Sequence, residues 1–265
     1  VQTCARPIFL PFFTIPIGTG RFPAFAKLDP QEDHELVKTV FASSIKYTAV
    51  LLVPATAAVM ALSGPMIGTL FGEKYVYAPL FLTAYVISNM FAMLGSLSSG
   101  SLLSGLGETK ILLKQSLLTL SFGLPLGFLL IPTLGIWGLI TANIFVGLPS
   151  LFWGLHWIWK HYEAKADFQS SAKILAASAI AAMTAYLPMS LFNTANWIKL
   201  AIGVIIFLTV YILGAPLIGA VTQTDIENLR TMLSGLGAVS KIANIPLRIA
   251  EKATHIRHSG KSNRD

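Results

Sequence analysis

Long apolar runs separated by short polar knots dominate the chain. Tyr47–Phe71 contains no Asp, Glu, Lys or Arg in 25 residues, Tyr75–Gly107 none in 33 and Gln115–Trp159 none in 45. Ile174–Ile198 and Leu200–Thr224 contain none in 25 residues each. A bilayer core of about 30 Å takes about 20 residues of helix at 1.5 Å per residue. Each run therefore holds one crossing, and the longest holds two. None alternates polar and apolar residues as a membrane-barrel strand would, so helices are the expected form. The pattern predicts an all-α integral membrane fold, a polytopic helix bundle. Its six full transmembrane helices lie near 47–70, 78–104, 111–131, 135–159, 174–192 and 197–220, after a truncated first helix at about 7–20.

The breaks have physical causes. Gly72-Glu73-Lys74 is a polar knot between two apolar runs, and Gly105-Leu106-Gly107-Glu108 lacks the propensity to continue a helix. Pro132-Thr133-Leu134-Gly135 splits the longest run, because Pro removes a backbone donor and Gly permits a turn. Leu187-Pro188 through Asn193-Thr194-Ala195-Asn196 makes the last tight connection. Two further segments read as amphipathic helices. Asp29-Pro30-Gln31-Glu32 is a helix start, with an N-cap, a first-turn Pro and acids at the positive dipole end. Thr224-Asp225-Ile226-Glu227 reads as a capping box, followed by apolar residues at helical spacing from Ile226 to Ile242. The expected division is a transmembrane bundle over 1–220 and a cytoplasmic, basic, amphipathic tail over 221–265 that lies on the inner leaflet.

Composition agrees with burial in lipid. Hydrophobic residues make up 54% of the chain, charged residues 12%, and mean hydropathy is +0.67. A soluble domain carries about 25% charge. The distribution of basic residues then orients the spans. On the predicted topology one side collects 16 Lys and Arg, in 21–46, the 105–114 and 160–173 loops and the tail, against three on the other, Arg6, Lys74 and Lys199. By the positive-inside rule the richer side is cytoplasmic, which puts the C-terminus in the cytoplasm and the chain, multi-pass, in the cytoplasmic membrane. Trp153, Trp157 and Trp159 near the inner end of their span, and Tyr75 and Tyr77 near an outer end, read as interfacial belts. The net charge of +7 reflects this orientation beside anionic lipid, and nucleic acid is not an expected partner.

The chemistry within the spans is sparse. All 12 acidic residues fall in loops, tails or span ends, the five His show no metal-ligand spacing, and a single cysteine, Cys4, permits neither an intrachain disulfide nor a Cys-based metal site. An intramembrane enzyme needs a nucleophile–base pair or metal ligands between helices. The expectation is a non-enzyme with no catalytic residue, metal or cofactor. The spans instead carry small polar residues. Ala92, Ser96, Gly100 and Ser104 recur every fourth position, with Asn89 one heptad before Ser96. Such a face packs helices closely. Its functional reading is a substrate path lined by Asn89, Ser96 and Ser99, with Asn143 on another span. Pro54, Pro65, Pro125 and Pro149 kink helices or mark their ends, which suits a carrier that rocks between states.

The order of features resembles the polysaccharide and oligosaccharidyl-lipid flippases of the multidrug/oligosaccharidyl-lipid/polysaccharide exporter superfamily. Arg21-Phe22-Pro23-Ala24-Phe25-Ala26-Lys27-Leu28 is similar to a family stretch that follows a helix. Pro65-Met66-Ile67-Gly68-Thr69-Leu70-Phe71-Gly72-Glu73-Lys74-Tyr75 looks like its most specific signature. Leu103–Lys110 and Pro132–Gly138 resemble a family loop and a family turn. The resemblance covers roughly residues 15–220 and corresponds to the C-terminal half of such a transporter. It implies a partner bundle, either a missing N-terminal half or a second copy, and a lipid-linked oligosaccharide as cargo. Much of the family's cationic cavity belongs to the first bundle, so no substrate-binding Arg carries over. The chain begins with Val1, and the expectation is a fragment whose first helix has been cut.

The expected function is therefore translocation of lipid-linked oligosaccharide by alternating access. A multidrug extruder of the same superfamily, a non-transporting membrane scaffold or remnant, and a membrane-embedded glycosyl or acyl transferase are the alternatives. The transferase would need an acidic or His-containing loop motif, and none is found. The topology has a direct test. In a Cys4→Ser background, Lys165→Cys should react with an impermeant maleimide only after permeabilisation; strong labelling from outside intact cells would overturn the orientation.

Overall fold

The computed structural model describes residues 34–164, 167–191, 194–234 and 250–251. The predicted truncated helix at 7–20, the Asp29–Glu32 helix start and most of the tail lie outside the described residues. Every regular element described is helical. In chain order these are α1 (His34–Phe71), α2 (Ala78–Val86), a 3-10 segment (Ile87–Leu94), α3 (Ser96–Gly105), α4 (Thr109–Leu134), α5 (Ile136–Val146), α6 (Leu148–Tyr162), α7 (Phe168–Leu191), α8 (Asn196–Ile218) and α9 (Gln223–Ser234). Five stretches are long and apolar enough to cross a membrane, with α5 and α6 together forming one of them, and the bent pair 78–94 and 96–105 is a broken span or a re-entrant loop. The chain is an all-α, multi-pass membrane bundle with five helices long enough to cross and a bent pair that brings the number up to six if it is one span.

The boundaries follow backbone chemistry. α1 ends before Gly72 at φ +76°, and the loop between α3 and α4 turns on Gly107 at φ +75°. Both are conformations that cost an L side chain but not glycine. α1 has 38 residues, about 57 Å at 1.5 Å each. That exceeds the bilayer core, so the amphipathic stretch around Val37 and Phe41 runs into the span without a break, as the sequence suggested.

Two expectations are corrected. The stretch 78–104 is not one straight helix. It tightens to a 3-10 turn over Ile87–Leu94 and bends by 52° at Gly95, which sits at φ +95°. A Cβ at Gly95 would also lie 2.9 Å from Ile45 Cδ1, so the break is held by packing as well as by backbone freedom. The capping box lies two residues upstream of the predicted one. Thr222 Oγ1 accepts from the Asp225 N–H at 3.4 Å, and Asp225 Oδ2 accepts from the Thr222 N–H and hydroxyl at 2.7 and 2.6 Å, so Thr222 is the cap and Thr224 sits inside α9. Near the end of α6, Trp153 and Trp157 are partly buried against the core and Trp159 is 47% exposed.

The chain divides into two units. The first comprises α1 up to Leu52 and Ala84–Asp167. Its core gathers Val37, Phe41 and Ile45 of α1, Leu102 and Leu103 of α3, Ile111 of α4, and Ile158 and Tyr162 of α6. α4 and α5 form a hairpin, and α6 returns along α4 and α3. The second unit comprises Val53–Thr83 and the chain from Phe168. There α7 and α8 form a close hairpin. The small buried residues Ala177, Ser178, Ala181 and Ala185 of α7 recur at three-to-four spacing, the pattern that lets membrane helices approach closely. Also in this unit, Thr83 Oγ1 donates to Ser63 Oγ at 3.0 Å, tying α2 to α1 just before Pro65.

Two glycines separate close packing from open space. A Cβ at Gly138 would fall on the Leu130 backbone carbonyl, so the α4–α5 hairpin closes only because that position is bare; at Gly100 it would meet nothing within 4 Å. Gly138→Ala should lower unfolding stability in mixed micelles by about 2 kcal/mol. Gly100→Ala should be neutral within about 0.5 kcal/mol, or slightly stabilising through helix propensity. Equal stabilities for the two variants would contradict the close crossing.

Candidate substrate-path site

The charge-free spans leave hydroxyls and amides as the polar chemistry inside the first unit, and the fold sorts them into two groups. One is buried. Ser44 and Thr48, one turn apart on α1, face Ser98 on α3, and all three are at most 6% exposed. Ser44 Oγ donates to Ser98 Oγ at 3.1 Å, Thr48 Oγ1 lies 3.5 Å from the same oxygen, and Thr48 also donates to its own helix at Ser44 O, 2.6 Å. This cluster fastens α3 to α1 just beyond the Gly95 bend.

The second group lines a cleft of about 680 Å³ between α3, α4 and α6. Ser96 and Ser99 form one wall, Gln115, Ser116 and Thr119 on successive turns of α4 the second, and Ser150 in the first turn of α6 the third. The cleft wall carries no ionisable side chain. Gln115 Nε2 donates to Ser150 O at 3.1 Å, and Thr119 Oγ1 donates to Ser150 Oγ at 2.9 Å and to Gln115 O at 2.9 Å. These bonds hold α4 to α6. A Cβ at Gly154 would fall on the Gln115 amide nitrogen, so glycine there is what lets the amide lie against α6.

The sequence-derived residues divide accordingly. Ser96 and Ser99 come together in the cleft. Asn89 and Asn143 do not line it. Asn89 Nδ2 donates to Val86 O at 3.2 Å within the 3-10 segment, and Asn143 Nδ2 donates to Ser88 Oγ at 3.1 Å, joining α5 to that segment. The heptad relation between Asn89 and Ser96 assumed a continuous helix, and the bend at Gly95 removes it. Gln115, Thr119 and Ser150 were missed, as were Ser44 and Thr48. A signal existed for the α4 group: Gln115, Ser116 and Thr119 occupy one helical face of an otherwise apolar run. Nothing in the sequence pairs Ser44 with Ser98, 54 residues away.

At the end of this unit that the sequence assigns to the basic side, Lys38 Nζ bridges Glu35 at 2.6 Å and Glu163 at 3.1 Å. Both carboxylates are largely exposed, so these pairs add little stability. His161 stacks on Trp157 with ring centroids 4.1 Å apart. Among the described residues no three His, Cys, Asp or Glu side chains gather as a metal site.

Fold and site thus define a multi-pass helical membrane protein whose first unit carries an uncharged cleft with hydroxyls and an amide set among apolar residues. Residues 8–79 match the profile of a protein family described as polysaccharide biosynthesis protein. The matched stretch contains the Arg21–Leu28 and Pro65–Tyr75 motifs, and with them the chain resembles the polysaccharide flippase superfamily. No curated protein matches the chain, and neither does any solved structure.

The buried cluster makes a testable statement about the fold. Ser98→Ala removes the acceptor for Ser44 and should cost about 0.6 kcal/mol, the scale of interhelical side-chain bonds in membranes. Thr48→Val in the Ser98→Ala background should add less than it does alone, because both remove one contact. Strict additivity in unfolding equilibria would argue that the three hydroxyls act separately.

Proposed function

We propose that this chain is the C-terminal bundle of a flippase that moves a lipid-linked oligosaccharide across the cytoplasmic membrane by alternating access. The observation that carries the reading is the polysaccharide-biosynthesis family match over residues 8–79, on a chain otherwise made of apolar spans. An amphiphilic cargo with a sugar head needs a polar route past hydrocarbon, and a carrier supplies it by rocking two bundles about a shared cavity. The six spans here provide one bundle. Its partner is a second bundle, an N-terminal half or another copy of this chain. Segment 21–46 and the C-terminus face the cytoplasm, where the 16 basic residues gather. Ser96 and Ser99 belong to the substrate path, and Asn89 and Asn143 bracket it by holding the 3-10 segment in place. The chain acts as a transporter and not as an enzyme.

Purified protein in vesicles, assayed for inward-to-outward movement of a fluorescent lipid-linked sugar, tests both claims. Vesicles holding single copies of the 265-residue chain should be inactive, and activity should appear once a second bundle is supplied. Robust flipping by the monomer would remove the two-bundle requirement. Absence of lipid-linked sugar movement in every form, with export of a cationic dye instead, would replace the flippase by a multidrug extruder.

A further inference from the structure

Helix ends in this chain are mostly made by glycine. Gly72 after α1, Gly135 after α4 and Gly219 after α8 each take a positive φ, and the α3–α4 loop turns on Gly107. α6 differs: it stops at Tyr162 with neither glycine nor proline following it. Its cap is Glu163 at φ +51°, the one non-glycine residue with positive φ among the described residues. That conformation crowds Cβ against the backbone and is strained for a Glu. The local sequence gives no reason to stop either. Glu163-Ala164-Lys165-Ala166 are all strong helix formers, so propensity favours a further turn of α6.

Contacts from far along the chain hold the stop instead. The Glu163 carboxylate accepts from Lys38 Nζ at 3.1 Å, across 125 residues of sequence, and the same ammonium donates to Glu35 at 2.6 Å. The Glu163 N–H donates to Trp159 O at 2.9 Å, which closes the left-handed cap. Ala164 is then buried in the core that holds Val37, Phe41 and Tyr162. Turning Glu163 into the right-handed region would lengthen α6 and redirect Ala164 away from that core. The opposing effects are of similar size: strain in one residue against an exposed ion pair and one small buried side chain. We infer that Glu163 is a two-state latch. Bonded to Lys38 it ends α6 in a left-handed turn; released from Lys38 it joins the helix and α6 grows. Both carboxylates on Lys38 are largely exposed, so the latch responds to ionic strength. The chain passes to the second unit after Asp167, and the latch sets the direction in which it leaves the first. This switch is independent of the cargo.

The test uses the full chain in phosphatidylcholine nanodiscs, with Cys4→Ser and Ala164→Cys so that one thiol reports on the latch. In this parent at low salt, maleimide should react slowly with the buried thiol. Lys38→Met and Glu163→Gln each remove the ion pair and keep the strain, so labelling should rise about fivefold, the upper scale of an exposed pair. Glu163→Gly removes pair and strain together, and labelling should stay at the parent rate. Raising NaCl to about 0.5 M shortens the screening length and should speed labelling in the parent but not in Lys38→Met. A rise in Glu163→Gly as large as in Glu163→Gln would show simple fraying, because glycine loosens a frayed end but disfavours an added helical turn. That result overturns the latch. So does an unchanged rate in Lys38→Met and Glu163→Gln, or a parent thiol as reactive as in denatured protein. Where Ala164→Cys lowers the melting temperature, the chain with Ala164 intact is studied by NMR with isotope-labelled glutamate, and Glu163 is assigned by the signal lost in Glu163→Gln. Its Cα shift should move to the helical value in Lys38→Met, and an unmoved shift sinks the inference.

Discussion

Inside a bilayer no water is at hand to complete a hydrogen bond, so each polar group in the spans must find its partner within the protein. The backbone answers by coiling. The hydroxyls answer by bonding back to the carbonyl one turn earlier: Thr48 to Ser44, Thr69 to Pro65, Ser101 to Leu97, Thr133 to Leu129, Ser178 to Ile174 and Thr209 to Ile205. Among the described residues no buried side-chain nitrogen or oxygen lacks a partner. This habit lets a serine-rich segment survive at membrane depth, and it also turns the outward face of each such hydroxyl into an acceptor.

The bend at Gly95 puts that habit to use. A straight helix through 78–105 would carry Asn89 and the serines along one continuous line. Breaking the helix at a left-handed glycine brings Ser98 against Ser44 and Thr48. It also leaves Ser96 and Ser99 beside α4 and α6 and frees the 3-10 segment to take a bond from Asn143. The same few residues thus serve two purposes. One side of α3 fastens it to α1, and the other faces a space large enough for a ligand.

The distribution of charge follows from the same cost. Ions are expensive in hydrocarbon, so acids and bases stay at the ends of spans, where Lys38 meets Glu35 and Glu163. Polar contacts inside the first unit then rest on hydroxyl and amide geometry, which is weaker per contact than an ion pair but directional. Close crossings such as Gly138 under the Leu130 carbonyl and Gly154 under the Gln115 amide fix that geometry.

The sequence by itself determined the class of the fold and most of the helix ends. Hydrophobic length is measured against a fixed bilayer thickness, and Gly and Pro act on their own backbone, so Gly72, Gly107 and Gly135 could be read where they stand. It also indicated Ser96 and Ser99, because a polar residue in a charge-free run is conspicuous wherever it ends up. Tertiary structure alone decided the rest. The heptad that joined Asn89 to Ser96 was a property of an ideal helix, and the bend at Gly95 ended it. Gln115 became a cleft residue only when Gly154 let its amide lie against α6, and Ser44 joined Ser98 across 54 residues of chain. Periodicity reports which face of one helix is polar; which second helix that face meets depends on packing between distant segments, and no local pattern encodes it.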